Sequence, residues 1–183
     1  MLYLMAAGLV LIFGLRHVVN FAHGALFTLG AYLFLSGSVQ GNYVVGLLLA
    51  VGCLAALGVL LDRVVLQPLR KRDPMVTVLI TFGILLISEA VLMAIWGKQL
   101  RSVPMPAELS GSVMLFGSPY PVYRLFVVSV SFATAAILWA WLRFTTTGLH
   151  VRAASQDPAT TAMQGIDTNR LSLVVVGVGA GLA

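Results

Sequence analysis

Charged side chains are scarce in this sequence of 183 residues. Lys, Arg, Asp and Glu together make up 9% of it, and hydrophobic residues make up 60%. Soluble domains carry about 25% charged residues, and the mean hydropathy here is +1.00. A chain with so little charge cannot cover a water-facing surface, so the composition excludes an ordinary soluble domain and predicts a lipid bilayer as its surroundings.

Cysteine and the common catalytic motifs are scarce too. The single cysteine, Cys53, excludes a disulfide within the chain. The sequence has no G-x-x-x-x-G-K-[ST] loop, so this chain is not an ATPase, and it has no H-E-x-x-H motif. His17 and His23 lack a third ligand nearby, so we predict no metal site. An intramembrane enzyme would have only these histidines and Glu89 to work with, so we expect a protein that is not an enzyme and holds no cofactor.

Basic residues outnumber acidic ones by eleven to six, which gives a net charge of +5. These residues do not cluster on one face. They lie between apolar runs, as they do in the loops of membrane proteins. We therefore expect no nucleic-acid partner.

Three apolar runs approach the length of about 20 residues that a membrane-spanning helix needs. They are Tyr43–Leu61, Met75–Trp96 and Leu125–Leu142. The predicted fold class is all-α, a polytopic transmembrane helical bundle that forms one domain over residues 1–183. Residues 171–183 are apolar but short. Because a helix cannot end bare in mid-bilayer, we expect the chain to be a fragment that lacks C-terminal spans.

The loops between these runs predict an orientation. Loops 62–74 and 143–170 are separated by one helical hairpin, so we expect them on the same side. Together they carry seven basic residues, against three in loop 97–124. The positive-inside rule places them in the cytoplasm, and loop 97–124, rich in proline, becomes an irregular periplasmic cap. Small residues four apart, Gly46 with Ala50 and Gly52 with Ala56, predict close helix contacts.

Polar residues interrupt the apolar sequence at two places. Residues 16–24 are too polar to face lipid and predict a broken helix or tight hairpin, in which Asn20 and His23 share one face. These two form either a polar clamp between helices or part of a translocation path. Glu89 lies deep inside an apolar run. We expect it to face the bundle interior, with Arg16 as a candidate partner.

The loop 144–170 contains signals for a short helix. Asp157 is a suitable N-cap, Pro158 suits the first helical position, and Gly165 suits a left-handed stop. These residues predict a helix over about Pro158–Gln164. Such a helix either lies idle against the bundle or docks a partner.

Taken in order, these segments resemble the branched-chain amino acid permease family of ABC importers. The resemblance is carried by six stretches, namely Asn20–Gly24, Leu29–Tyr32, Arg63–Pro74, Thr81–Gly83, Tyr120–Leu125 and Gly148–Ile166. Together they cover nearly the whole chain.

The resemblance implies a subunit of a bacterial inner-membrane importer. Its implied partners are a second permease, two cytoplasmic ATPases that bind ATP and Mg²⁺, and a periplasmic binding protein. It implies that loop 144–170 couples to an ATPase through Gly148, Arg152, Ala153, Asp157, Pro158, Ala162, Gly165 and Ile166. It also implies that Asn20, His23 and Gly24 lie near the path, where we add Glu89 as a candidate.

Two alternatives for the function stay open. A permease of the same class could carry urea, short amides or aromatic acids instead of leucine, isoleucine and valine. A secondary transporter driven by an ion gradient would be expected to contain several intramembrane carboxylates or an inverted repeat. The sequence offers one such carboxylate and no evident repeat.

Overall fold

The computed structural model describes residues 2–38, 43–70, 72–97, 109, 111–115 and 117–183. In this part of the chain the helices are α1 (Leu2–Arg16), α2 (Ala22–Ser38), α3 (Tyr43–Leu61), α4 (Gln67–Leu69), α5 (Pro74–Trp96), α6 (Val122–Phe144), α7 (Thr146–Gln156), α8 (Pro158–Met163) and α9 (Thr168–Gly181). A π-helical segment, Asp62–Leu66, joins α3 to α4, and the strands are β1 (Ser112–Leu115) and β2 (Ser118–Pro121).

Among the described residues, three helical stretches are long and apolar enough to cross a membrane, and they confirm the three predicted spans. They are Tyr43–Leu69, Pro74–Trp96 and Val122–Phe144. Helix α3 ends at Leu61, as predicted, but the helical stretch continues through the π-helical segment and α4 to Leu69. Asp62 does not end the helical stretch because its carboxylate is buried against a basic partner. The chain is thus an all-α, multi-pass membrane fold.

The two outer spans, α5 and α6, begin after different signals. The side chain of Asp73 caps α5 by accepting a hydrogen bond of 2.9 Å from the backbone N–H of Met75, and Pro74 fills the first helical position. An antiparallel hairpin of β1 and β2 leads into α6, with Ser112 opposite Pro121 and Leu115 opposite Ser118. The expectation of a wholly irregular cap was therefore wrong for residues 112–115 and 118–121. Residues 98–108 and 110 lie outside the described part.

The core of the bundle forms around α3, whose buried residues recur at every fourth position. Gly46, Ala50, Leu54 and Gly58 are buried in that order. Helix α2 packs on α3, and α9 packs on both α3 and α1. The prediction for Gly46 and Ala50 is confirmed. Gly52 and Ala56 are exposed, so the close helix contact predicted for them is not made within the described part of this chain.

The outer helices bury much less of their surface. Among the described residues, α6 has none that is buried, and α5 has only Thr77, Thr81 and Leu92. Helix α5 contacts the rest of the bundle mainly through α2. Both spans therefore present wide faces to lipid or to other protein chains.

Candidate functional site

A buried ionic cluster lies where several helices end together. Asp62 is fully buried and forms an ion pair with the guanidinium of Arg16. The side-chain amide of Gln67 donates a hydrogen bond of 3.1 Å to the second carboxylate oxygen, and the Ser172 hydroxyl lies 3.5 Å from the first. Since a buried charge needs a partner and further hydrogen bonds, the cluster ties α1 and the π-helical segment to α9.

This cluster corrects the predicted partner of Glu89. Arg16 was the candidate, but its guanidinium contacts Asp62. Arg16 is the last residue of α1, and Asp62 begins the π-helical segment that follows α3. The sequence separates the two by 46 positions, and neither lies in the middle of an apolar run.

The predicted break between α1 and α2 is present. Helix α1 ends at Arg16, and His17 adopts a positive φ of 54°. The chain then turns through Asn20, whose side-chain oxygen accepts a hydrogen bond of 3.1 Å from the backbone N–H of Ala22 at the start of α2. Asn20 is buried, so its amide starts α2 within the protein.

His23 joins α2 to α1 from a fully buried position. Its Nε2 lies 3.1 Å from the backbone carbonyl oxygen of Met5, and 1% of the residue is exposed. A hydrogen bond there requires the proton on Nε2, so Nδ1 is left as a buried acceptor that no donor of the described residues reaches. This contact is a polar clamp between two helices. Gly24, one residue further, is only partly buried. The role of both residues in a path stays a prediction.

Glu89 lies on the outside of this chain's bundle, so the expectation that it faces the interior was wrong. It is exposed, and within the described residues no hydrogen bond or ion pair reaches it. It lines an open cavity of about 190 Å³ with Thr28 and Tyr32 of α2. Its assignment to a path stays a prediction.

The loop 144–170 is a helical corner. The predicted short helix is confirmed as α8, Pro158–Met163, one residue shorter than expected. A second helix, α7, precedes it and was not predicted. The Thr145 hydroxyl accepts a hydrogen bond of 3.0 Å from the N–H of Gly148, which starts α7, and α7 packs on α9 through Val151 and Ala154.

Asp157 holds the start of α8. One carboxylate oxygen accepts hydrogen bonds from the backbone N–H groups of Ala159, at 3.0 Å, and Thr160, at 3.1 Å. The other accepts a bond from the Thr160 hydroxyl. These bonds, led by the one from the Thr160 hydroxyl, lower the pKa of Asp157 below its ordinary value because they favour the ionised form.

The remaining predicted coupling residues divide by exposure. Arg152, Ala153, Ala162 and Gly165 are exposed, whereas Gly148 is buried and Pro158 and Ile166 are partly buried. Gly165 adopts a φ of +83°, as its predicted left-handed stop requires. Arg70 donates a hydrogen bond of 2.8 Å to the side chain of Asn169. Loops 62–74 and 143–170 therefore lie at the same end of the bundle, as parity predicted.

Comparison with protein families identifies the family of this chain. The family model described as the permease component of the branched-chain amino acid transport system matches residues 1–183. The chain belongs to this permease family.

Individual relatives agree with this assignment. The high-affinity branched-chain amino acid transport system permease protein LivH of Escherichia coli K12 is 23% identical over 195 aligned residues. The corresponding protein BraD of Pseudomonas aeruginosa is 22% identical over 193. Each alignment covers 98% of this chain and 63% of the relative. The chain thus spans less than two thirds of the length of these relatives. No solved structure gives a significant match.

Sequence reasoning missed two parts of this permease. Asp62 was read as the end of an apolar run, and Ser172 as one residue of another run. One signal for the cluster was available in the sequence. Asp62 and Gln67 are polar residues five positions apart, with the apolar stretch Val64–Leu66 between them. Helix α7 was missed although residues 149–156 contain neither proline nor glycine.

Proposed function

We propose that this chain is the membrane-spanning part of a permease subunit of an ATP-driven importer for branched-chain amino acids in the bacterial inner membrane. In this proposal two cytoplasmic ATPases bind ATP and Mg²⁺, a second permease completes the path, and a periplasmic binding protein delivers the solute. The protein itself moves solute and catalyses no reaction. The corner formed by α7 and α8 carries the proposal.

The corner has the properties of a docking element. Both helices start at a side-chain cap, from Thr145 and Asp157, so the corner holds its shape outside the membrane-spanning helices. Its inner side packs on α9, while Arg152, Ala153 and Ala162 remain exposed. A rigid contact of this kind can transmit the closure of an ATPase to α9 and, through the Asp62 cluster, to α1.

The exposure of Glu89 supports two parts of the proposal, the second permease subunit and the placement of Glu89 beside the path. An ionised carboxylate facing hydrocarbon is costly, so its face of α2 and α5 is expected to lie against water or another protein. An amino acid carries an ammonium group, for which a carboxylate is the natural counter-charge. Leu92 and Met93 of the same cavity suit an aliphatic side chain.

The first test is uptake of labelled leucine by cells in which the full gene is deleted and then restored. Restoration should return leucine uptake that valine blocks and that stops when ATP is depleted. Unchanged leucine uptake would reject the branched-chain solute and direct attention to urea, short amides or aromatic acids as competitors. Uptake that follows the proton gradient instead of ATP would favour an ion-coupled secondary transporter.

A second test addresses the docking role of the corner. Gly165→Val places a β-branched side chain at a φ of +83°, which such residues avoid. The strain should distort the end of α8 and reduce co-purification of the ATPase with the full-length permease. Gly52→Val, on an exposed face of α3 within the membrane, is the control. Undiminished ATPase recovery with the Gly165 variant would reject the role of this turn.

A further inference from the structure

A second cavity lies beside the Asp62 cluster, at the end of the bundle where α1, α4 and α5 meet. It has a volume of about 200 Å³, and Arg16, His17, Arg70 and Arg72 line it. The described lining contains no carboxylate, because Asp62 itself does not line the cavity. The charge of Arg16 is neutralised by the Asp62 carboxylate. Arg70 and Arg72 therefore give the cavity an excess of positive charge.

Arg16, which lines the cavity, has a buried donor without an acceptor in the described part of the chain. The Arg16 side chain is 10% exposed, and this donor is its Nε–H. A buried N–H without an acceptor is destabilising, because it has lost its hydrogen bonds to water. Arg70 lies close enough to Arg16 for the two guanidinium charges to repel each other. An anion in the cavity would offset the repulsion between these two guanidinium groups.

The position of the cavity indicates which anion. It lies at the end of the spans Tyr43–Leu69 and Pro74–Trp96, the level at which lipid headgroups meet the protein. Its other walls are mostly apolar, with Ile12, Leu66 and Leu69 among them, and also include Asn20 and Thr77. Guanidinium groups bind phosphate oxygens well, and basic pockets between helix ends hold anionic headgroups. An apolar wall beside the arginines suits a glycerol backbone better than it suits a free ion.

We propose that this cavity is a binding site for a phosphate group, supplied by an anionic phospholipid. The headgroup phosphate accepts hydrogen bonds from Arg16, Arg70 and Arg72, and the lipid stabilises the helix ends around the Asp62 cluster. The site is separate from the cavity beside Glu89, and it does not depend on which solute the permease carries.

Native mass spectrometry of the full-length permease in neutral detergent tests this site. Phosphatidylglycerol should bind at least tenfold more tightly than phosphatidylcholine, whose headgroup carries no net charge. Each arginine near a membrane surface contributes about fivefold to the affinity for anionic lipid, so Arg70→Gln with Arg72→Gln should weaken phosphatidylglycerol binding by about 25-fold. Because Arg70 also bonds to Asn169, Arg72→Gln alone is the milder variant, with a loss of about fivefold.

The matched control removes two other exposed arginines, Arg63→Gln with Arg143→Gln. Arg63 belongs to loop 62–74, like Arg70 and Arg72, and Arg143 belongs to loop 143–170. Neither of them lines the cavity. A loss of less than about fivefold in the control supports the site. Equal losses in the two double variants would overturn it, because the attraction would then be general to the surface. Inorganic phosphate that displaces the lipid at equal concentration would overturn the lipid as the source.

Discussion

Two carboxylates within the apolar part of this chain have opposite surroundings. Asp62 lies at the edge of an apolar run and is fully buried, with an ion pair to Arg16 and a hydrogen bond from Gln67. Glu89 lies in the middle of an apolar run and is exposed on the outer face of α5. In the described part of the chain no side chain pairs with it.

The difference separates a structural charge from one that awaits a partner. Removing a carboxylate from water is costly, and of these two only Asp62 has partners among the described residues that offset that cost. Glu89 has none, so its face of the bundle is expected to be covered by water, by solute or by another chain. Position within an apolar run therefore does not tell which carboxylate is buried in the protein.

The largest effect should follow from breaking the buried pair. Asp62→Leu leaves the Arg16 guanidinium buried without its partner, and such a change typically costs about 3–5 kcal/mol. We expect the full-length permease to unfold at a clearly lower temperature, measured by thermal unfolding in detergent. Adding Arg16→Met should recover most of the loss, because replacing both charges with apolar groups is often neutral. A double variant as unstable as Asp62→Leu would contradict this account.

The close packing behind the cluster should give the next largest effect. A Cβ on Gly58 of α3 would lie 2.4 Å from the Cβ of Ala180 in α9. Gly58→Ala should therefore separate the helices and cost about 1–3 kcal/mol, measured as a lower unfolding temperature. At Gly52, on the same helix, an added Cβ would meet nothing within 4 Å. Gly52→Ala should be neutral or stabilising, and an equal loss at both sites would exclude overpacking.

The same contrast explains how much the sequence could predict. The spans and the helix α8 follow from local signals, namely apolar length, Asp157, Pro158 and Gly165, and all of them were found. The pair Arg16 and Asp62 was missed because it joins residues 46 positions apart, which no local pattern relates. The exposure of Glu89 depends on how α5 is rotated about its axis. Apolar residues occur on every side of α5, so the sequence does not indicate which face is buried. The path roles of Asn20, His23, Gly24 and Glu89 stay predictions.

Glu89→Gln sharpens the comparison because it should affect transport and leave stability unchanged. Glu89 has no partner within the described chain, so the free energy of unfolding should change by no more than about 0.5 kcal/mol, as for other exposed substitutions, and the unfolding temperature should change little. If the carboxylate binds the ammonium group of the solute, leucine uptake should fall at least about tenfold. Met93→Gln in the same cavity is the control without loss of charge. Normal uptake by Glu89→Gln would exclude this residue from the path.

Asp157 extends the comparison to a carboxylate in water, where we expect the smallest effect. Its pKa is lowered in the folded protein, first by the Thr160 hydroxyl, so the bonds it accepts stabilise α8 fully above the ordinary pKa of 3.8. That stabilisation is lost as the pH falls through the lower folded pKa. Hydrogen exchange should show the first amides of α8 losing protection in acid while those of α3 keep it. Asp157→Asn still caps the helix but does not titrate. Its α8 should therefore keep its protection in acid, and the same acid-dependent loss in this variant would assign the effect to another group.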